Sequence, residues 1–100
     1  MENEIQRIFK KANYCYKKKE YMSSVIELSK IFSFNKQEYY HKAYWGLYLA
    51  WWNLCKIKNH WDYDIDKFYN NALLNAPTDE IKESYHKIYN YNKKIFDKED

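Results

Sequence analysis

The chain has 100 residues, 46% hydrophobic and 31% charged, with 17 basic and 14 acidic side chains and a formal charge of +3. This length supports one domain, and the composition is neither that of a membrane-spanning chain nor that of a disordered one. One Gly and one Pro leave almost no turn chemistry for β-hairpins and none for a Gly-rich phosphate loop, so residues 1–100 read as a single all-α domain.

Five helical segments follow in chain order. In helix 1, Ile5, Ile8, Phe9, Ala12, Cys15 and Tyr16 recur at helical spacing as one apolar stripe. Lys17 to Lys19 mark a turn, and helix 2 runs from about Tyr21 with Met22, Val25, Leu28 and Phe32 inward, stopping before Asn35. Asn35 with Glu38 three residues on has the form of a capping box and predicts the start of helix 3. Helix 4 opens in Asp62, Asp64 and Asp66, buries Ile65, Phe68, Tyr69, Ala72 and Leu73, and ends at Pro77. Thr78 caps helix 5, whose stripe is Ile81, Tyr85, Ile88, Tyr89 and Ile95.

Helix 3 is the unusual segment. Its apolar residues, from Tyr40 through Trp45 to Cys55, cover an arc of roughly 260° at helical spacing. Lys42, Asn53 and Lys56 alone face water. A helix apolar nearly all round is either central in its domain or covered by a partner. The pattern predicts a central helix that keeps some aromatics at the surface.

Two hairpins and a final helix imply a repeat. The run Tyr69-Asn70-Asn71-Ala72-Leu73-Leu74-Asn75-Ala76-Pro77 resembles the segment that closes a tetratricopeptide repeat. In the first hairpin Ala12, Tyr21, Ser24 and Leu28 match that family's small, aromatic, small and larger apolar positions, and Gly46 lies 34 residues after Ala12, the family's period. Gly46 and Pro77 stand 31 residues apart, about two helical turns more than the family pattern, which implies a lengthened helix 3. The resemblance implies two antiparallel helical hairpins plus a C-terminal capping helix, and a groove lined by the first helix of each hairpin. Carried onto this chain, the groove residues are Lys10, Asn13 and Lys17 on helix 1 and Tyr40, Tyr44 and Trp51 on helix 3. The family's carboxylate-clamp pattern is met at Asn13 but not at Phe9 or Tyr44, so a clamp for peptide C-termini is not expected.

Catalytic and metal chemistry find no support in the residues. Asp62-Tyr63-Asp64-Ile65-Asp66 starts like a calcium loop, yet the sixth position is Lys67 where Gly is needed and the twelfth is Leu73 where a bidentate Glu is needed. His41, His60 and His86 are dispersed, Cys15 and Cys55 sit within apolar patterns, and no metal-ligand spacing occurs, so no cofactor is expected. The single arginine, Arg7, has no His four or five residues after it. Both cysteines read as small core residues of a reducing compartment, and no apolar segment follows Glu2 and Glu4, so the expected location is cytoplasmic with no membrane partner.

Lys, Asn, Ile and Tyr are abundant while Gly, Pro, Ala and Arg are scarce, the signature of A/T-rich codons, so placement carries more information than number. Residues 1–58 hold 11 basic and 5 acidic groups, a balance of +6, whereas residues 59–100 hold 6 and 9, a balance of −3. The sequence thus predicts a non-catalytic protein-protein interaction module, an adaptor, chaperone or small inhibitor or immunity protein. Its groove is aromatic with a basic rim, suited to an amphipathic or acidic peptide. A second copy of the chain is the other protein partner to consider. The alternative is a small nucleic-acid-binding accessory protein of a phage or mobile element, resting on the cluster Arg7, Lys10, Lys11 and Lys17 to Lys19.

Overall fold

The apolar spacing resolves into five α-helices in the computed structural model, which describes the backbone of residues 2–99 and the side chains of residues 3–96. They are α1 (Glu2–Lys17), α2 (Tyr21–Ser29), α3 (Tyr40–Lys58), α4 (Tyr63–Asn75) and α5 (Asp79–Glu99). Two 3-10 turns, Lys30–Phe34 and Gln37–Tyr39, connect α2 to α3. Among the described residues there is no strand, and no helix is long and apolar enough to cross a membrane.

α1 and α2 form an antiparallel hairpin whose turn closes through Lys19 in the left-handed region, φ 64°. Ile5, Ala12 and Cys15 are buried as the stripe requires. Ser24 Oγ donates to the Ala12 carbonyl at 3.0 Å, a buried bond that a larger residue at either position would break. Glu27 is held by Lys30 at 2.9 Å and Lys11 at 3.2 Å. Met22, expected inward, is 49% exposed, because the face of α2 that meets α1 and α3 is centred on Ser24 and Leu28.

The junction between α2 and α3 departs from the sequence reading. Asn35 has φ 56° and its N–H bonds to the Phe32 carbonyl, so it terminates the turn Lys30–Phe34. The capping box does not form: Glu38 lies in the second 3-10 turn, and α3 begins at Tyr40 with no side-chain cap. Asn tolerates the left-handed region better than most residues, and here that property outweighs its value as a helix start.

α3 is central, since it contributes to all three apolar clusters. Ala43 packs with Ile5 and Ile31, Leu47 with Ala12 and Leu28, and Tyr48 and Cys55 with Ile65, Tyr69 and Phe96. At Gly46 an added Cβ would lie 2.7 Å from Leu28 Cδ1, so the glycine permits the close approach of α2.

α4 runs back antiparallel to α3, capped by Asp62, whose Oδ1 accepts from the Asp64 N–H at 3.1 Å. It ends before Pro77, with Ala76 extended at ψ 130° as a residue preceding proline must be. Thr78 Oγ1 accepts from the Ile81 N–H at 3.2 Å and starts α5. α5 meets α3 and α4 across a layer of rings. Tyr85 stacks on Trp45 at 4.1 Å between centroids, Tyr89 on Tyr69 at 3.8 Å, and Phe96 sets its edge against Trp52 and Trp61. Asn92, 7% exposed, donates to the Tyr48 hydroxyl at 2.9 Å. The buried stripe of α5 is therefore Tyr85, Tyr89, Asn92 and Phe96, and Ile88, expected within it, is 43% exposed.

Candidate functional site

Contacts along α1, α3 and α5 advance together, so the three helices run parallel. Phe9 meets Tyr39 and Tyr16 meets Asn53, while His41, Tyr48 and Trp52 meet Tyr85, Tyr89 and Phe96 in turn. α2 and α4 lie behind this row. The circumference of α3 divides accordingly. Asn53 turns toward α1; Gly46, Tyr44, Leu47 and Trp51 toward α2, α4 and their connections; His41, Trp45, Tyr48 and Trp52 toward α5.

One arc of α3 stays open, between its α1 side and its α5 side. It carries Lys42, Leu49 and Lys56, flanked by Trp45 and Trp52, with the lysines exposed and the other three half-buried. At about 100° per residue, the directions from α3 to α1 and to α5 diverge by about 110°. The three helices therefore form a trough with α3 as its floor. One wall, from α1, presents Gln6, Lys10 and Asn13, with Lys17 exposed farther along the same face. The other, from α5, presents Ile81, Ser84, Ile88 and Ile95, which share a face about 80° from the buried stripe of that helix.

The α1 side of the trough is hollow. Phe9, Asn13 and Tyr16 face Lys42, Gly46 and Leu49 across one cavity, and Gln6, Lys10 and Tyr39 extend it toward the start of α3. Asn53 Nδ2 donates to the Tyr16 hydroxyl at 3.0 Å and closes the far end. Burial raises the Tyr16 pKa, which keeps the phenol neutral, and the Asn53 bond opposes the shift. Lys56 Nζ sits 5.2 Å from the centre of the Trp52 ring, a cation–π contact that holds the lysine over the floor. None of the residues named in the floor and walls is acidic.

Of the residues expected to line a groove, the structure brings Lys10 and Asn13 together at the cavity, and Lys17 lies on the same face of α1. Tyr40, Tyr44 and Trp51 are placed elsewhere. Tyr40 and Tyr44 pack on Phe32 with centroids 5.1 and 4.6 Å away, and Trp51 sets its edge against Phe68 of α4. Their stripe lies on the opposite side of α3 from the open arc, where the layer of α2 and α4 covers it. The indole N–H groups of Trp51 and Trp52 are buried with no hydrogen-bond partner among the described residues. The sequence reading marks Lys42 and Lys56 as water-facing without giving them a place in a groove, and it does not single out Trp45, Leu49 and Trp52, although a signal existed. Lys42 and Lys56 are two of the three polar breaks in the α3 pattern, and a polar break in a nearly all-apolar helix marks its open side.

The other polar groups are structural. Asp66, part of the calcium-like run, accepts from Trp61 Nε1 at 3.2 Å and from the Tyr89 hydroxyl, so both of its oxygens are engaged. Burial, with Asp66 beside it, raises the Tyr89 pKa, and burial pushes Tyr48 up to about 12. Burial likewise raises the Cys55 thiol, the opposite of what a nucleophile needs. Among the described residues no group of three or more His, Cys, Asp or Glu is placed to hold a metal ion. In comparisons with protein-family models, curated proteins and solved structures, nothing matches the chain.

Proposed function

We propose that the chain is a non-catalytic protein-interaction module, tetratricopeptide-like in organisation and cytoplasmic, that engages another protein through the trough formed by α1, α3 and α5. The observation that carries this reading is the open arc of α3, where an aromatic and aliphatic surface lies beside Lys42 and Lys56 with Lys10 and Asn13 across the cavity. Interface energy concentrates in a few well-packed aromatic and cationic side chains, and the trough gathers such groups on one face. Adaptor, chaperone and inhibitor roles all use such a surface.

A photo-crosslinking amino acid at Asn13 tests the proposal. In the native host it captures a protein, and the same residue at Met22, exposed on α2, does not. Equal yields at both positions, or none at Asn13, defeat the proposal. Nucleic-acid binding is the second reading, favoured by Lys18 lying 4.7 Å from the Tyr14 ring centre on the exposed basic end of α1. It requires a mobility shift with DNA or RNA that weakens steeply with salt.

A further inference from the structure

Resting on that reading, we infer that the occupant of the trough is a single acidic amphipathic α-helix, gripped between the amide and lysine wall of α1 and the isoleucine wall of α5. Three observations converge on it. The first is width. Helices pack at interaxial distances of about 8–10 Å. α1 and α5 meet α3 through side-chain tips and stacked rings rather than close backbones, so two walls that diverge by about 110° from this floor stand more than about 15 Å apart. A guest helix seated on the floor lies at packing distance from all three helices at once. An extended strand in the same space touches the floor and leaves one wall bare.

The second observation is the pattern of the floor. Trp45, Leu49 and Trp52 are spaced i, i+4 and i+7 on α3, a ridge complementary to the groove between successive side chains of another helix. Ile81, Ile88 and Ile95 repeat every seven residues on α5, the spacing of a seam made to meet a second helix. Within the described fold this seam is only partly covered: Ile81 and Ile95 are half-buried, Ile88 remains 43% exposed and Tyr91 at its edge 67%.

The third is charge. Lys10 and Lys42 face each other across the cavity and Lys56 stands over Trp52, while the α5 wall carries no charge at Ile81, Ser84, Ile88 or Ile95. The guest must therefore be asymmetric. Its apolar arc covers the floor and the α5 wall, and a stripe of Glu or Asp runs along the flank that meets α1. In a second copy of this chain, α1 and α5 supply no such helix, since the solvent side of α1 is lysine-rich and the apolar stripe of α5 is itself a wall of the trough.

The probe is a synthetic peptide of about five helical turns with Leu on one arc and Glu on one flank, titrated against the whole chain by calorimetry and by tryptophan emission, to which Trp45 and Trp52 of the floor contribute. Two controls accompany it: the same peptide with Lys in place of Glu, and the same peptide interrupted by a central Pro. The expected result is saturable binding of the Glu peptide, with both controls at least about tenfold weaker, as a difference of about 1.4 kcal/mol requires. Lys10→Glu with Lys42→Glu abolishes binding, and so does Ile88→Asp, while circular dichroism and sedimentation stay at wild type because all three side chains are exposed. A Pro peptide that binds as well as the intact one overturns the helical occupant and leaves the trough as an extended-peptide site. A Lys peptide that binds as well overturns the charge assignment. Failure of the Glu peptide to bind overturns the inference. Capture at Asn13 that survives Lys10→Glu with Lys42→Glu overturns the trough itself.

Discussion

At Gly46 two opposing effects can be weighed. Alanine is the better helix former by about 1 kcal/mol, but its Cβ would sit 2.7 Å from Leu28 Cδ1, and overpacking a filled site costs about 1–3 kcal/mol. Leu28 is 4% exposed and wedged against Ala12 and Leu47, so it has little room to give. Gly46→Ala is therefore expected to lower stability by about 1 kcal/mol. In a Leu28→Ala background the same change raises it, a reversal that a double-mutant cycle in urea reads directly. His41 makes the second residue-scale prediction. Its Nδ1 lies 2.9 Å from the Tyr85 hydroxyl, and burial first, then the Lys42 charge, holds its pKa below the ordinary histidine value. The folded state thus favours the neutral ring. Its contribution is complete above the unfolded pKa of about 6.5 and is lost as pH falls below that value, because the unfolded chain takes up a proton that the folded chain resists. Glu27 acts at lower pH: Lys30 and Lys11 depress its pKa, so its contribution fades only as pH drops through the carboxylate range. Chemical melts should show stability declining between neutral and mildly acidic pH in the wild type, and a flatter profile over that window in His41→Asn.

Among the elements, α3 holds the fold together and α5 is the one most readily released. Leu47 is 3% exposed at the junction of α1, α2 and α3, so Leu47→Ala should cost about 2–5 kcal/mol in a urea melt. A loss under about 1 kcal/mol would contradict the central placement of this helix. α5 touches its neighbours mostly through stacked rings and four polar bonds, Asn92 to Tyr48, Tyr89 to Asp66, Tyr85 to His41 and His86 to Tyr69. Such attachment opens locally more easily than interlocked backbones do. Asp66→Ala removes the acceptor of both Tyr89 and Trp61, which should cost about 1–3 kcal/mol. Amide exchange is expected to accelerate throughout α5 while α3 amides change little. The contrast at helix starts is instructive: Asp62 and Thr78 cap α4 and α5 as their spacing implies, whereas Asn35 ends a turn. A capping motif is local when its helix begins at once, but Asn35 precedes a 3-10 turn whose course depends on where Phe32 finds Tyr40 and Tyr44.

Over the whole molecule, the excess of positive charge in residues 1–58 includes Lys10, Lys42 and Lys56 of the trough, while the α5 wall is uncharged at the positions that face it. Association with the acidic helix should accelerate at low salt and slow as salt is added, with a smaller change in dissociation rate. Stopped-flow tryptophan emission measures both. Composition and periodicity by themselves determined the all-α class, the five helices, the central α3 and most buried positions of α1 and α4, because burial of an apolar stripe is a property of one helix read along its own axis. The tetratricopeptide resemblance, not periodicity, nominated Lys10, Asn13 and Lys17, which share one polar face of α1. Composition and periodicity did not determine which aromatics of α3 flank its open side. Twelve of the sixteen residues from Tyr40 to Cys55 are apolar or aromatic, so the wheel of that helix offers several aromatic faces. Its choice among Tyr44 and Trp51 or Trp45 and Trp52 depends on where α2, α4 and α5 dock. Tertiary packing made that choice: Phe32 and Phe68 cover the first pair, and α5 approaches the second from one side only, because Trp45 and Tyr85 stack and keep the two helices a ring's thickness apart.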